Sequence, residues 1–146
     1  MKQGIDCIGN SVIYFCHDGK GNVLMAKRSM NARDEAGKWD IGGGGIDLGA
    51  TIDETLRREI KEEYCAEVLS YEFLGYRDVH REHNGIKTHW IALDFKVLID
   101  PSNVKIGEPH KFDDIGWFNL DALPKPKHSQ WPEFLKKYWE KIKFPP

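Results

Sequence analysis

Glu59, Glu62 and Glu63 stand at i, i+3 and i+4 within Arg58-Glu59-Ile60-Lys61-Glu62-Glu63. On a helix this spacing puts three carboxylates on neighbouring positions. At about 100° per residue, Glu63 projects between Ile52 and Leu56, so the apolar side of the helix carries a carboxylate at its edge. A buried unpaired charge is costly, and a divalent cation held by the three glutamates would remove that cost. All-oxygen ligation suits Mg²⁺ or Mn²⁺ rather than zinc. A charge-paired surface helix accounts for the same spacing without a metal, with Arg58 bridging to Glu62 one turn on.

Gly42-Gly43-Gly44-Gly45-Ile46-Asp47-Leu48-Gly49 leads directly into this helix. Glycine lets backbone amides approach a ligand closely, and a helix N-terminus favours anions. Two familiar phosphate patterns fail here. Gly44-x4-Gly49-Ala50-Thr51 has P-loop spacing, but Ala50 stands where the lysine must be. The dinucleotide pattern G-x-G-x-x-G, started at Gly42, ends on Asp47.

The elements around these residues are legible. Residues 7–16 and 23–28 are strand-like, and the turn residues 18–22 between them predict a hairpin. Residues 31–38 form a polar loop. The helix is predicted over 52–66, with Thr51 as N-cap and Glu54 completing a capping box. Residues 68–81 and 86–99 read as long strands joined at Asn84-Gly85, a pair that tolerates the positive φ of a type I′ turn. A short strand over 115–118 and a single turn over 120–123 follow. The chain then closes with a helix over 130–142, whose apolar face is Trp131, Phe134, Leu135, Tyr138 and Ile142. Mixed strands bracketed by two helices predict an α/β sandwich.

The chain has 146 residues, which suits one domain and one core. Its net charge of -2 excludes a global field that would hold it on a nucleic-acid polymer or an anionic membrane. The C-terminal basic residues are interrupted by Glu133 and Glu140, as on a solvated helix face. Cys7, Cys16 and Cys65 are odd in number and widely spaced, so they support neither a disulfide framework nor a zinc knuckle. No apolar run has membrane-spanning length and the N-terminus has no signal-peptide pattern, which points to the cytoplasm.

Taken together, Gly44-x5-Ala50-x7-Arg58-Glu59-Ile60-x-Glu62-Glu63-x-Cys65-Ala66 resembles the Nudix box, G-x5-E-x7-R-E-U-x-E-E-x-G-U, where U is a bulky aliphatic residue. The match is direct at Gly44, Arg58, Glu59, Ile60, Glu62 and Glu63. Trp39, Gly43, Glu108-Pro109 and Asp113-Asp114-Ile115-Gly116-Trp117-Phe118 extend the likeness beyond the box at 44–66. Three positions depart from it: Ala50 for the first glutamate, Cys65 for the glycine and Ala66 for the last aliphatic residue. Gly45 also stands where some members carry a lysine near phosphate.

The resemblance implies a Nudix-type α/β/α sandwich with a mixed β-sheet, spanning 1–146 as one hydrolase domain. It further implies Mg²⁺- or Mn²⁺-dependent hydrolysis of a nucleoside diphosphate linked to another group, such as a (deoxy)nucleoside triphosphate or a nucleotide sugar. Glu59 and Glu63 are then the principal metal ligands, and Glu62 a third or water-mediated one. The general base is a box glutamate or a late-loop acid, with Glu108 ahead of Asp113. Arg28, Gly43, Gly44 and Arg58 are candidate substrate contacts. Trp39, Tyr76, Trp90 and Phe112 are candidate base-stacking residues, each with a core role as the alternative. His80, His83 and His89 lie around the hairpin within reach of a substrate, but zinc binding there lacks an acidic or cysteine partner at convincing spacing. The expected partner is a small nucleotide, without nucleic-acid polymer or membrane and with a homodimer as an open assembly. A non-catalytic nucleotide-binding or regulatory module on the same fold is the alternative, favoured by Ala50. An isomerase of the isopentenyl diphosphate type is disfavoured, because this chain lacks the required late cysteine.

Overall fold

The computed structural model describes residues 1–144. Its strands are β1 (Gly9–His17), β2 (Asn22–Arg28), β3 (Trp39–Asp40), β4 (Gly42–Gly45), β5 (Val68–His83), β6 (Ile86–Ile99) and β7 (Phe112–Asn119). Its helices are α1 (Ile52–Tyr64) and α2 (Trp131–Ile142). Among the described residues no helix is long and apolar enough to cross a membrane.

The sequence of β1 explains the layering. Both of its faces are apolar, as a central strand requires. Val12, Tyr14 and Cys16 pack with Leu56, Ile60 and Tyr64 of α1. Ile13 and Phe15 point the other way, towards Trp131, Phe134 and Tyr138 of α2. The mixed sheet therefore lies between two helices as an α/β/α sandwich. Leu56 and Ile60 are fully buried, each contributing about 2 kcal/mol by leaving water.

The expected β1–β2 hairpin forms, antiparallel across the turn at 18–22, but it is short. The two strands pair only at the neck, His17 opposite Val23, and then separate. β1 runs parallel to β6 and antiparallel to β4, while β2 pairs with β3 and β7. A strand buried on both faces gains more from partners along its whole length than from one turn-linked neighbour. The β5–β6 hairpin closes at Asn84-Gly85, both at positive φ.

Thr51 caps α1, its Oγ1 accepting from Glu54 N at 3.0 Å. The helix stops at Tyr64, short of residue 66. Cys65 takes a left-handed conformation at φ 55°, and its N–H bonds Lys61 O. That conformation favours glycine. Cys65→Gly is expected to raise stability by about 1 kcal/mol, read as a higher melting temperature. A lower one would show that the packing of the thiol near Gly107 outweighs the backbone strain.

Candidate active site

The acidic edge of α1 is not uniform. Glu63 is 4 % exposed and accepts a hydrogen bond from the Tyr14 hydroxyl. Burial pushes its carboxyl up to about 8; nearby Glu108 adds to this, and Lys111 opposes it. The Glu59 side chain is 15 % exposed. Burial raises its carboxyl too, with Glu62 adding repulsion and Arg58 and Lys111 opposing. Glu62 faces solvent. Among the described residues the three glutamates do not form a group with ligand atoms within 4.8 Å of one another; a carboxylate oxygen of Asp78 and ring nitrogens of His80 and His89 do.

Arg58 lies 3.3 Å from Asp47 and 3.4 Å from Glu59. The Arg58–Glu62 bridge of the metal-free alternative is therefore not the pairing found. Asp47, on the loop before α1, supplies the acid that Ala50 does not.

The late loop docks on the end of α1. Gly107 N donates to Glu63 O at 2.9 Å and Lys105 N to Tyr64 O at 3.1 Å, satisfying carbonyls that a helix end leaves open. A Cβ at Gly107 would lie 2.0 Å from Glu62 O, so only glycine allows this approach. Docking sets Glu108 close enough to raise the Glu63 carboxyl. Lys111 Nζ stands 3.3 Å from Glu108 Oε1, but off hydrogen-bond geometry. That buried oxygen has no hydrogen-bond partner among the described residues. Asp113 instead accepts from Met30 N at 3.2 Å, a loop-closing role.

The glycine run is a strand, not a flexible loop. Gly43 is opposite Ile13 and Gly44 opposite Val12, so successive residues face the α2 and α1 sides. A Cβ at Gly44 would lie 2.5 Å from Glu59 Cδ. None of these four glycines has positive φ; close approach is the reason for glycine at Gly44. Among the described residues β4 pairs only with β1, leaving its other backbone edge open.

On the α2 side a cavity of about 390 Å³ is lined by Arg28, Gly42–Gly45, Asp40, Arg77, Arg81, Trp90 and His128, among others. Arg77 is clamped by Asp94 at 2.7 and 2.9 Å, and Tyr138 also donates to Asp94, at 2.6 Å. Arg77 Nη1 and Trp131 Nε1 are buried donors with no partner among the described residues, and both residues line this cavity. Burial raises Asp40 to about 7, with Arg28 opposing. Burial lowers His128 to about 4, against the pull of Glu35.

Arg28, Gly43 and Gly44 thus share the cavity wall, while Arg58 lies on the α1 side. Of the proposed stacking residues only Trp90 lines the cavity. Trp39 and Phe112 are core, and Tyr76 is 60 % exposed. Asp40, Arg77, Arg81, His128 and Trp131 were missed. Strand alternation puts Arg77, Val79 and Arg81 on one face, but only the sheet topology shows that this face meets α2.

A family model described as the NUDIX domain matches residues 8–138. The chain belongs to the Nudix family. It is 32% identical over 114 residues to the "Nucleoside triphosphatase NudI" of Escherichia coli K12, covering 70% of this chain and 77% of that protein. A second similar protein is the Enterobacter sp. "Nucleoside triphosphatase NudI", 29% identical over 110 residues, with the same coverage. The MutT NUDIX hydrolase of Burkholderia pseudomallei has a similar structure, at TM-score 0.79 and 26% identity, covering 90% of this chain and 98% of that one. The NUDIX domain of Shewanella oneidensis NrtR, solved with ADP ribose, shares the fold at TM-score 0.71 and 19% identity, covering 98% and 91%. The α/β/α sandwich is thus the Nudix fold, and the chain is a Nudix hydrolase, a family that generally uses a divalent metal.

Proposed function

We propose that this Nudix hydrolase cleaves a phosphoanhydride bond in a (deoxy)nucleoside triphosphate, or in a nucleotide sugar, with Mg²⁺ or Mn²⁺. The observation that carries the reading is the buried Glu63 beside Glu59 on the α1 face of the glycine strand. Both carboxyls are raised by burial. Such raised acids mark negative charge without sufficient compensation. Carboxylate oxygens are hard donors of the type that Mg²⁺ and Mn²⁺ take.

Glu59 and Glu63 would hold the cation, with Glu62 reaching it from the solvent side. The cation would neutralise phosphate charge and orient the diphosphate for attack by water. Glu108, held beside Glu63 by the docked late loop, takes the proton of the attacking water in this reading. Arg58 holds Glu59 and is itself held by Asp47. The base end of the substrate occupies the cavity beside Arg28. The phosphates cross the open edge of β4 at Gly43 and Gly44 to reach the α1 face. Residues 1–146 act as one catalytic domain on a small nucleotide rather than a polymer. The three unpaired cysteines support a cytoplasmic setting.

A phosphate-release screen over nucleoside triphosphates and nucleotide sugars, with Mg²⁺, with Mn²⁺ and with chelator, tests this. Cation-dependent turnover of at least one nucleotide is expected. No turnover with either cation overturns it. Gly44→Ala is expected to lower turnover by roughly a hundredfold, because its methyl must displace the Glu59 carboxylate. An alanine variant with unchanged turnover would remove Glu59 from the site.

A further inference from the structure

We propose that Asp78, His80 and His89 bind a late first-row divalent cation, Zn²⁺ foremost, on the sheet face opposite the cavity. In β5, residues 77, 79 and 81 point to the cavity, so Asp78 and His80 point away from it. In β6, Trp90 and Ala92 line the cavity, which turns His89 to the same outer face. The register places His80 directly opposite His89, with Asp78 two residues back on the same face. One ligand atom from each of the three lies within 4.8 Å of the others.

The local geometry is preorganised. The two imidazole rings lie with centroids 4.1 Å apart and planes tilted by 32°. Asp78 Oδ1 lies 2.9 Å from His89 Nε2, orienting the second ring. His80 and Asp78 are exposed and His89 is half-buried, so core packing does not account for the arrangement. Metal–nitrogen distances of about 2.0–2.1 Å are reached by rotating exposed side chains, without moving the strands. The two histidines also line a cleft of about 310 Å³ with Asp6 and Cys7 of the N-terminal turn. Cys7 is exposed and lines the same cleft, and water completes the cation's shell.

The donor chemistry separates this site from the glutamates of α1. Two imidazoles and one carboxylate suit Zn²⁺, Ni²⁺ or Cu²⁺, whereas Mg²⁺ prefers oxygen donors. A bound cation would tie the two strands together at the end that carries Arg81 and Trp90 into the cavity. It takes no part in the hydrolytic step.

The full chain, stripped of metal, is titrated calorimetrically with Zn²⁺ and spectroscopically with Co²⁺. The same titrations are run on a Glu59→Gln, Glu63→Gln variant and on a His80→Ala, His89→Ala variant. We expect one Zn²⁺ site and a tetrahedral Co²⁺ visible band in the wild type, both retained in the glutamate variant. The histidine variant should keep the metal-free melting temperature and bind Zn²⁺ roughly a hundredfold more weakly. Zn²⁺ binding that survives the histidine changes overturns the site. So does binding that is lost with the glutamate changes and kept with the histidine changes.

Discussion

Glu63→Gln is expected to lower turnover by at least about two orders of magnitude while the fold persists. Glutamine has the same shape as glutamate, and its carbonyl oxygen still accepts from the Tyr14 hydroxyl. It cannot carry the negative charge a divalent cation needs. Burial works against the Glu63 carboxylate, so removing the charge relieves that penalty and offsets the cost of burying the new amide. The metal-free variant should melt no lower than wild type at pH 8. Turnover of a folded variant within tenfold of wild type would remove Glu63 from the catalytic centre. Loss of activity together with unfolding would instead identify Glu63 as a structural partner of Tyr14.

The metal-free protein is expected to lose stability as pH rises from about 6.5 to 8. Glu63 is pushed up from 4.5 to about 8 and Asp40 from 3.8 to about 7. The folded chain holds both protons more tightly than the unfolded chain. Each contribution is therefore full below the unfolded value and is lost as pH rises to the folded one. His17 and His128 are pulled down from 6.5 to about 4, in both cases chiefly by burial. Their contributions have the opposite sign, present above 6.5 and lost as pH falls towards 4. Between about 4.5 and 6.5 the acids and the histidines oppose one another, and above 6.5 only the acids remain.

One proton retained across 6.5 to 8 corresponds to about 2 kcal/mol, or roughly 4–8 °C in melting temperature at this chain length. Differential scanning calorimetry in chelator should show a plateau followed by this decline. The Glu63→Gln variant should lose most of the decline. Millimolar Mg²⁺ or Mn²⁺ should restore stability at pH 8, since a cation that binds the ionised native site stabilises it by mass action. A wild-type curve that rises over this window, or matches the variant's slope, would contradict the Glu63 environment.

What the sequence by itself determined was local. Spacings of three and four residues set the helix, Thr51 set its start, and Asn84-Gly85 set the turn between β5 and β6. The projection of Glu63 onto the apolar edge of α1 also follows from helical geometry alone. The box spacing, with the acids after it, was sufficient to identify the family.

Tertiary structure decided what depends on partners distant in the chain. The apolar pattern of β1 marks a buried strand but not its neighbours, so the short hairpin with β2 was legible while the longer pairings with β4 and β6 were not. Glu59, Glu62 and Glu63 look alike in sequence, yet only Glu63 meets Tyr14 and only Glu62 faces water. Arg58 finds its acid at Asp47 because the loop before the helix folds back on it. The late loop reaches the helix end because Gly107 lacks a side chain, a steric condition invisible until Glu62 O is placed beside it. Asp40, Arg77 and His128 are ordinary strand and loop residues until the sheet and α2 enclose one cavity. Asp78, His80 and His89 meet only through the β5–β6 register. Helical spacing is encoded residue by residue, whereas sheet pairing and buried electrostatics arise only when separate segments pack together.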